Sequence, residues 1–134
     1  MSHRRAFQFQ YSLERDLFNI YAIVTIGAAG APTLESTSKG IKSVTRSSAG
    51  DYVVNLSESY YKLMFAEAIV KNAAGIPVSS SVGIKADSST STTAPSVELV
   101  FSGPTAAGNT ALIATDPASG DKLFIKFIFR NAST

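Results

Sequence analysis

Acid–base or nucleophilic chemistry needs a group that changes protonation near neutral pH, held beside a partner. The only histidine in this chain is His3. A Ser-His-Asp triad fixes its imidazole between two neighbours, and position 3 of a chain is a poor place for that. Hydroxyls are abundant, yet no serine stands in a Gly-x-Ser-x-Gly turn. The glycines at 27, 30, 40 and 50 lack the spacing of a phosphate loop and the Lys-Ser/Thr that follows one. The ten carboxylates are scattered. Only Glu67 and Glu98 lie mid-strand among apolar neighbours, where burial raises a carboxyl pKa and suits it to proton transfer. The simpler reading is that both point outward from alternating strands.

Asp116-Pro117-Ala118-Ser119-Gly120-Asp121 sets two carboxylates around a tight turn. It lacks the alternating acidic spacing and the closing Glu of a calcium loop. A turn whose Asp and Ser side chains bond their own backbone explains it more simply. With no cysteine, thiolate metal sites and disulfides are impossible. The expectation is a protein without catalytic residues, metal or cofactor. Tyr52, Tyr60 and Tyr61 suggest a sugar-stacking platform, but Tyr52 is read as core. Tyr60 and Tyr61, being adjacent, point in different directions and suit packing at a subunit contact, where Tyr is enriched.

The elements that must position these residues are strands. Phe7, Phe9 and Tyr11 alternate with Gln8 and Gln10, which predicts a half-buried first strand. Leu17 to Ile26, rich in β-branched and aromatic residues, predicts a largely buried second one. Gly27 to Pro32 breaks the pattern. Ile41 to Arg46 and Asp51 to Leu56 flank Ser47-Ser48-Ala49-Gly50, a hairpin whose Tyr52, Val54 and Leu56 share one face. Ser57 to Met64 predicts a short helical turn with Ser57 as its cap.

Further strands are expected over Phe65–Lys71, Val78–Ile84, Ser96–Phe101, Ala111–Ala114 and Leu123–Arg130. Breaks fall at Gly75–Pro77, Pro104–Asn109 and Asp116–Asp121. The tract Ala86 to Pro95 holds no apolar residue larger than Ala. It cannot offset its ordering entropy by burial, so an exposed, mobile loop is expected. About eight short strands with no sustained 3.6 period define one all-β domain spanning 1–134. Its architecture is an antiparallel β-sandwich or a small Greek-key or jelly-roll-like barrel.

The last strand carries a clue to function. Leu123, Ile125, Phe127 and Phe129 form an apolar face, while Phe124, Lys126, Ile128 and Arg130 form the other, half apolar. A strand with one wet face should not carry Phe124 and Ile128 there. Either another part of the chain covers that face or another subunit does.

Composition agrees with a contact role. Charged residues make up 16% of the chain, well below the typical quarter or so, and few ions must be desolvated when such surfaces meet. A net charge of +2 argues against nucleic acid as the main partner. The one basic cluster, His3-Arg4-Arg5, reads as a solvated, flexible arm (residues 1–5) or as an arm that docks on an acidic neighbour. The N-terminus alternates Phe with Gln where a signal peptide has an unbroken apolar run. The apolar run Ile20–Ile26 is too short to cross a bilayer. No membrane partner is expected.

One stretch goes beyond generic β pattern. Gly30-Ala31-Pro32-Thr33-Leu34, then Ser38 to Leu56 with its Gly-Ile-x-Ser-Val-x-Arg and Gly-x-Tyr-x-Val-x-Leu runs, then Tyr60-Tyr61-Lys62-Leu63, resembles virion structural proteins of tailed bacteriophages. The likeness is strongest to small head-decoration (cement) proteins. The closing Phe127 to Thr134 is similar to their usual strand ending in Arg-Asn-Ser. The resemblance covers about half the chain, and the Ser/Thr tract from Ala86 has no counterpart in it. It implies a β-sandwich, commonly trimeric, made in the host cytoplasm and bound to the outside of the capsid, where it braces neighbouring major capsid proteins. On that reading Phe124, Ile128, Arg130, Tyr60, Tyr61, Arg4 and Arg5 are interface candidates. The alternative is a host- or glycan-binding module of a tail fibre or baseplate. The third is a small hydrolase using Glu67 and Glu98.

Overall fold

The computed structural model describes residues 17–73, 75, 81–104 and 111–131. The expected strand at Phe7–Tyr11, the arm with Arg4 and Arg5, the break at Gly75–Pro77 apart from Gly75, the start of the strand expected at Val78 and most of the turn at Pro104–Asn109 lie outside these residues.

Among the described residues the chain forms nine strands. They are β1 (Leu17–Ile26), β2 (Pro32–Leu34), β3 (Ile41–Ser48), β4 (Asp51–Leu56), β5 (Lys62–Lys71), β6 (Ser81–Asp87), β7 (Ser96–Pro104), β8 (Leu112–Ala114) and β9 (Lys122–Arg130). Every pairing is antiparallel. One sheet has the order β2-β1-β9-β5; the other runs β3-β4-β7-β6, with β8 also on β7. The sheets stay open, so the fold is the sandwich of the two architectures expected.

Alternation builds the core. β1 turns Ile20, Ala22, Val24 and Ile26 inward, and β9 turns Leu123, Ile125, Phe127 and Phe129 inward. From the other sheet come Val44, Tyr52, Val54, Leu56, Val97, Leu99 and Phe101. Tyr52, Val54 and Leu56 do share the buried face, as the hairpin pattern requires. Strand β1, expected to be largely buried, is buried at Ile20, Ala22, Val24 and Ile26, while Leu17, Phe18, Asn19 and Tyr21 are exposed. The hairpin is also tighter than its sequence suggests. Strand β3 continues to Ser48, where the register shifts opposite Asp51, so the loop shortens to Ala49-Gly50.

Two further expectations are corrected. Residues 57–61 form no helical turn. Their amides bond distant carbonyls instead: Ser57 N–H to Gly40, Tyr60 N–H to Ser89 (2.9 Å) and Tyr61 N–H to Arg130 (3.0 Å). The segment carries the chain from one sheet to the other, and these donors are satisfied by two loop carbonyls and one from β9. The Ser/Thr tract is exposed over most of its length but is tied down. Ala86 and Asp87 belong to β6, and Ser89 is fully buried. Asp87 Oδ1 accepts from Ser89 N–H, Ser91 Oγ accepts from Ala94 N–H, and the Pro95 carbonyl accepts from Leu56 N–H. Hydroxyl and carboxylate groups bonding nearby backbone do here what apolar burial does elsewhere.

Candidate docking face

The register of β1, β9 and β5 arranges the outer face of the four-stranded sheet in cross-strand rows. Ile23, Phe124 and Ile69 form one apolar row, and Ile128 with Phe65, beside Asn19, forms another. Between them runs Tyr21–Lys126–Glu67. Leu17–Arg130–Lys62 and Thr25–Lys122–Lys71 bound the face at its two ends.

Relative exposures are 59% for Tyr21, 57% for Ile69, 47% for Phe65 and 38% for Phe124. Ile23 and Ile128 are half-buried by these neighbours. The Lys126 ammonium lies 5.7 Å from the centre of the Tyr21 ring, so its stem covers apolar surface while its charge meets the ring face. A shallow apolar hollow of about 230 Å³ is lined by Tyr21, Ile23, Ile69, Phe124 and Lys126. Among the described residues no element covers this face.

The opposite outer face belongs to the five-stranded sheet and is polar. Lys85 bridges Asp51 and Glu98 (3.3 Å to the latter), and Asn55 donates to Ser43 Oγ at 3.0 Å. The Lys85 ammonium, then the Ser48 hydroxyl, hold the Asp51 carboxyl below its ordinary pKa. On this face the outward Val53 and Val100 stand between Thr45 and Glu98 and between Asp51 and Gly83, so it offers no cross-strand apolar row.

The candidate residues are placed as follows. Phe124, Ile128 and Arg130 stand on the outer face, as β9 alternation requires. Tyr61 is exposed beside the start of β5. Tyr60 is corrected: it is 8% exposed, and its ring stacks on Phe129 at 4.3 Å between centres and 11° between planes. It belongs to the core and presents nothing to a partner. Arg4 and Arg5 lie outside the described residues. Tyr21, Ile23, Phe65 and Ile69 are additions, and only the strand register places them beside Phe124.

Glu67 and Glu98 point outward from different sheets, with the sandwich between them, so they form no acid pair. No group of three potential metal ligands occurs among the described residues. The Asp116–Asp121 turn is a structural node. Asp121 is buried and accepts from Ala73 N–H and Ala118 N–H, both at 3.0 Å.

Asp116 reaches further, to residues far off in sequence. It takes a two-pronged contact from Arg46 (2.8–3.1 Å), accepts from Gly50 N–H at 2.8 Å and sits 3.1 Å from the Tyr52 hydroxyl, which also contacts the Gly30 carbonyl. The Arg46 guanidinium lowers the Asp116 pKa; burial opposes it and the Gly50 amide assists. Burial, with Asp116 second, pushes the Tyr52 phenol well up. Both Asp116 carboxylate oxygens are engaged within the chain, so the cluster pins the β3–β4 turn.

No protein-family model, no curated protein and no solved structure matches this chain.

Proposed function

We propose that this chain is a bacteriophage head-decoration protein. It docks the outer face of its four-stranded sheet on the outside of the capsid and braces neighbouring major capsid proteins. The observation that carries the reading is that face: Tyr21, Ile23, Phe65, Ile69 and Phe124 in adjoining rows, uncovered among the described residues. Isolated apolar residues are normal on a surface; contiguous rows mark a contact. The likeness of the central hairpin and the closing strand to cement proteins supplies the kind of partner.

The mechanism is mechanical. A shell under internal pressure fails where capsomers separate. A clamp across that junction adds buried area, about 1,600 Å² for an interface of ordinary size. Repetition over the shell turns modest single contacts into avidity. The rigid pleat holds the apolar rows in place, so little entropy is lost on docking. Antibody–gold labelling of intact virions should decorate heads over their whole surface. Label confined to tails, or absent from particles, would contradict the reading.

A further inference from the structure

Strand β9 is paired on both sides, to β1 and to β5, so its backbone has no free edge. Strand β5 ends the sheet. Its ten residues run Lys62–Lys71, and among the described residues nothing pairs with its outer edge. Beside it the sandwich gapes: a cleft of about 250 Å³ opens between β5 and β6, lined by Ala66, Ala68, Val82, Gly83 and Ile84 over Leu99. The inward-facing Ala66, Ala68 and Val70 are therefore only half-buried. A long edge strand with apolar neighbours on both faces is a template for another strand.

The charges on β5 say which strand. On its outer face, Phe65, Glu67, Ile69 and Lys71 alternate with the inward residues. Neither Glu67 nor Lys71 has an ion pair among the described residues, and Lys71 stands opposite Lys122, which is itself bridged to Glu35. Place a second β5 antiparallel, with Ile69 opposite Ile69 across a two-fold axis. Glu67 then faces Lys71 of the partner subunit, and the symmetry repeats the pair. Lys71, which faces Lys122 within one copy, gains an opposite charge across the two-fold, and Glu67, which faces Lys126 within one copy, gains a second cation. Moving the two-fold axis two residues toward the strand's start, a four-residue slip of one strand past the other, would set Glu67 against Glu67 and be repelled; a slip of half that leaves Glu67 opposite Ile69 and forms no charge pair.

We infer that two copies of this chain join by antiparallel pairing of their β5 edges, centred on Ile69, into one continuous eight-stranded sheet. The contact is isologous and closes at two copies, in place of the trimer expected from the sequence. It also joins the Ile23–Phe124–Ile69 rows of both copies into one apolar stripe, doubling the length of the docking face. The inference stands on the edge strand alone and does not depend on what the face docks against.

Sedimentation of the full chain at tens of micromolar tests it. The wild type should run as a dimer. Glu67→Lys and Lys71→Glu each turn two attractive pairs into two repulsive ones and should weaken the dimer about tenfold or more. The double variant E67K/K71E restores opposite charges in the same register and should dimerise again. Both side chains are exposed on a formed strand, and recovery in the double variant excludes misfolding as the cause of loss. A monomeric or trimeric wild type, single variants that dimerise undiminished, or a double variant that stays dissociated would each overturn the inference.

Discussion

On the outer face of the five-stranded sheet, Lys85 is held between Asp51 and Glu98, and Asn55 is bonded to Ser43. On the outer face of the four-stranded sheet, Ile23, Phe124 and Ile69 lie side by side with no cover among the described residues. Both faces arise from the same pleat, with inward residues filling one shared core. The difference therefore owes nothing to folding. A sheet that needs only water on its far side carries groups that bond water or one another, as the five-stranded sheet does. Rows of aromatic and branched side chains on the four-stranded sheet cost solubility, and the proposed docking would offset that cost. Stability and docking should accordingly be separable by mutation.

The largest effect should come from the turn that pins the polar sheet. Gly50 has φ +76°, and a Cβ there would stand 2.5 Å from the Phe101 carbonyl oxygen and 2.6 Å from the Thr115 nitrogen. Both are backbone atoms that cannot swing aside. Gly50→Ala should cost about 3 kcal/mol or more in urea unfolding, since backbone strain and overlap add. A loss under about 1 kcal/mol would mean that the turn relaxes freely.

Next comes Asp116, which removes an orphan donor at Gly50 and meets the Tyr52 hydroxyl. Asp116→Ala should cost about 2 kcal/mol by leaving Gly50 N–H without its acceptor and the Tyr52 hydroxyl with the Gly30 carbonyl alone. Its charge also sets a pH dependence. Both Asp116 and Asp51 have folded pKa values below the ordinary 3.8, the first mainly through Arg46, the second mainly through Lys85. The stability they contribute is complete above the unfolded value and is lost as the pH falls through the depressed folded values. Wild-type stability should therefore decline steeply from about pH 5 downward, and Asp116→Asn should flatten that decline. Denaturant midpoints measured at several acidic pH values would show whether the two slopes differ.

The smallest effect belongs to Ser89. Its hydroxyl is fully buried with no hydrogen-bond partner among the described residues, while its carbonyl accepts from Tyr60 N–H. Ser89→Ala keeps the backbone bond and removes an unsatisfied group, so stability should stay within about 0.5 kcal/mol or rise slightly. A large loss would show that the hydroxyl is bonded in solution.

The parts of the molecule readable from the residues were those governed by a local period. Leu17–Ile26 matches β1 end to end, and the inward set Leu123, Ile125, Phe127, Phe129 follows from alternation alone. What escaped depends on residues far apart. The Arg46–Asp116 contact spans 70 positions, and a lone Asp before Pro gives no sign of it. Tyr60 and Tyr61 are identical in type, and only the fold shows that the first stacks on Phe129 and the second faces outward. Ser57–Met64 has a good capping residue, but local propensity yields where Gly40, Ser89 and Arg130 offer distant carbonyls to its amides. On the docking face, Phe124 and Ile128 stood out because they broke the pattern of their own strand. Tyr21, Ile23, Phe65 and Ile69 join them only once the register is known.

The proposed capsid contact requires the outer face of the four-stranded sheet. The direct measurement of the proposed docking is cosedimentation of purified chain with emptied phage heads, for two matched charge insertions. Ile69→Lys with Phe124→Lys places charges in the apolar row, while Thr45→Lys with Ser96→Lys places them on the opposite, polar face. The first pair should abolish binding with the fold retained, and the second should bind like wild type. Equal binding by both pairs, or loss confined to the second, would contradict the account.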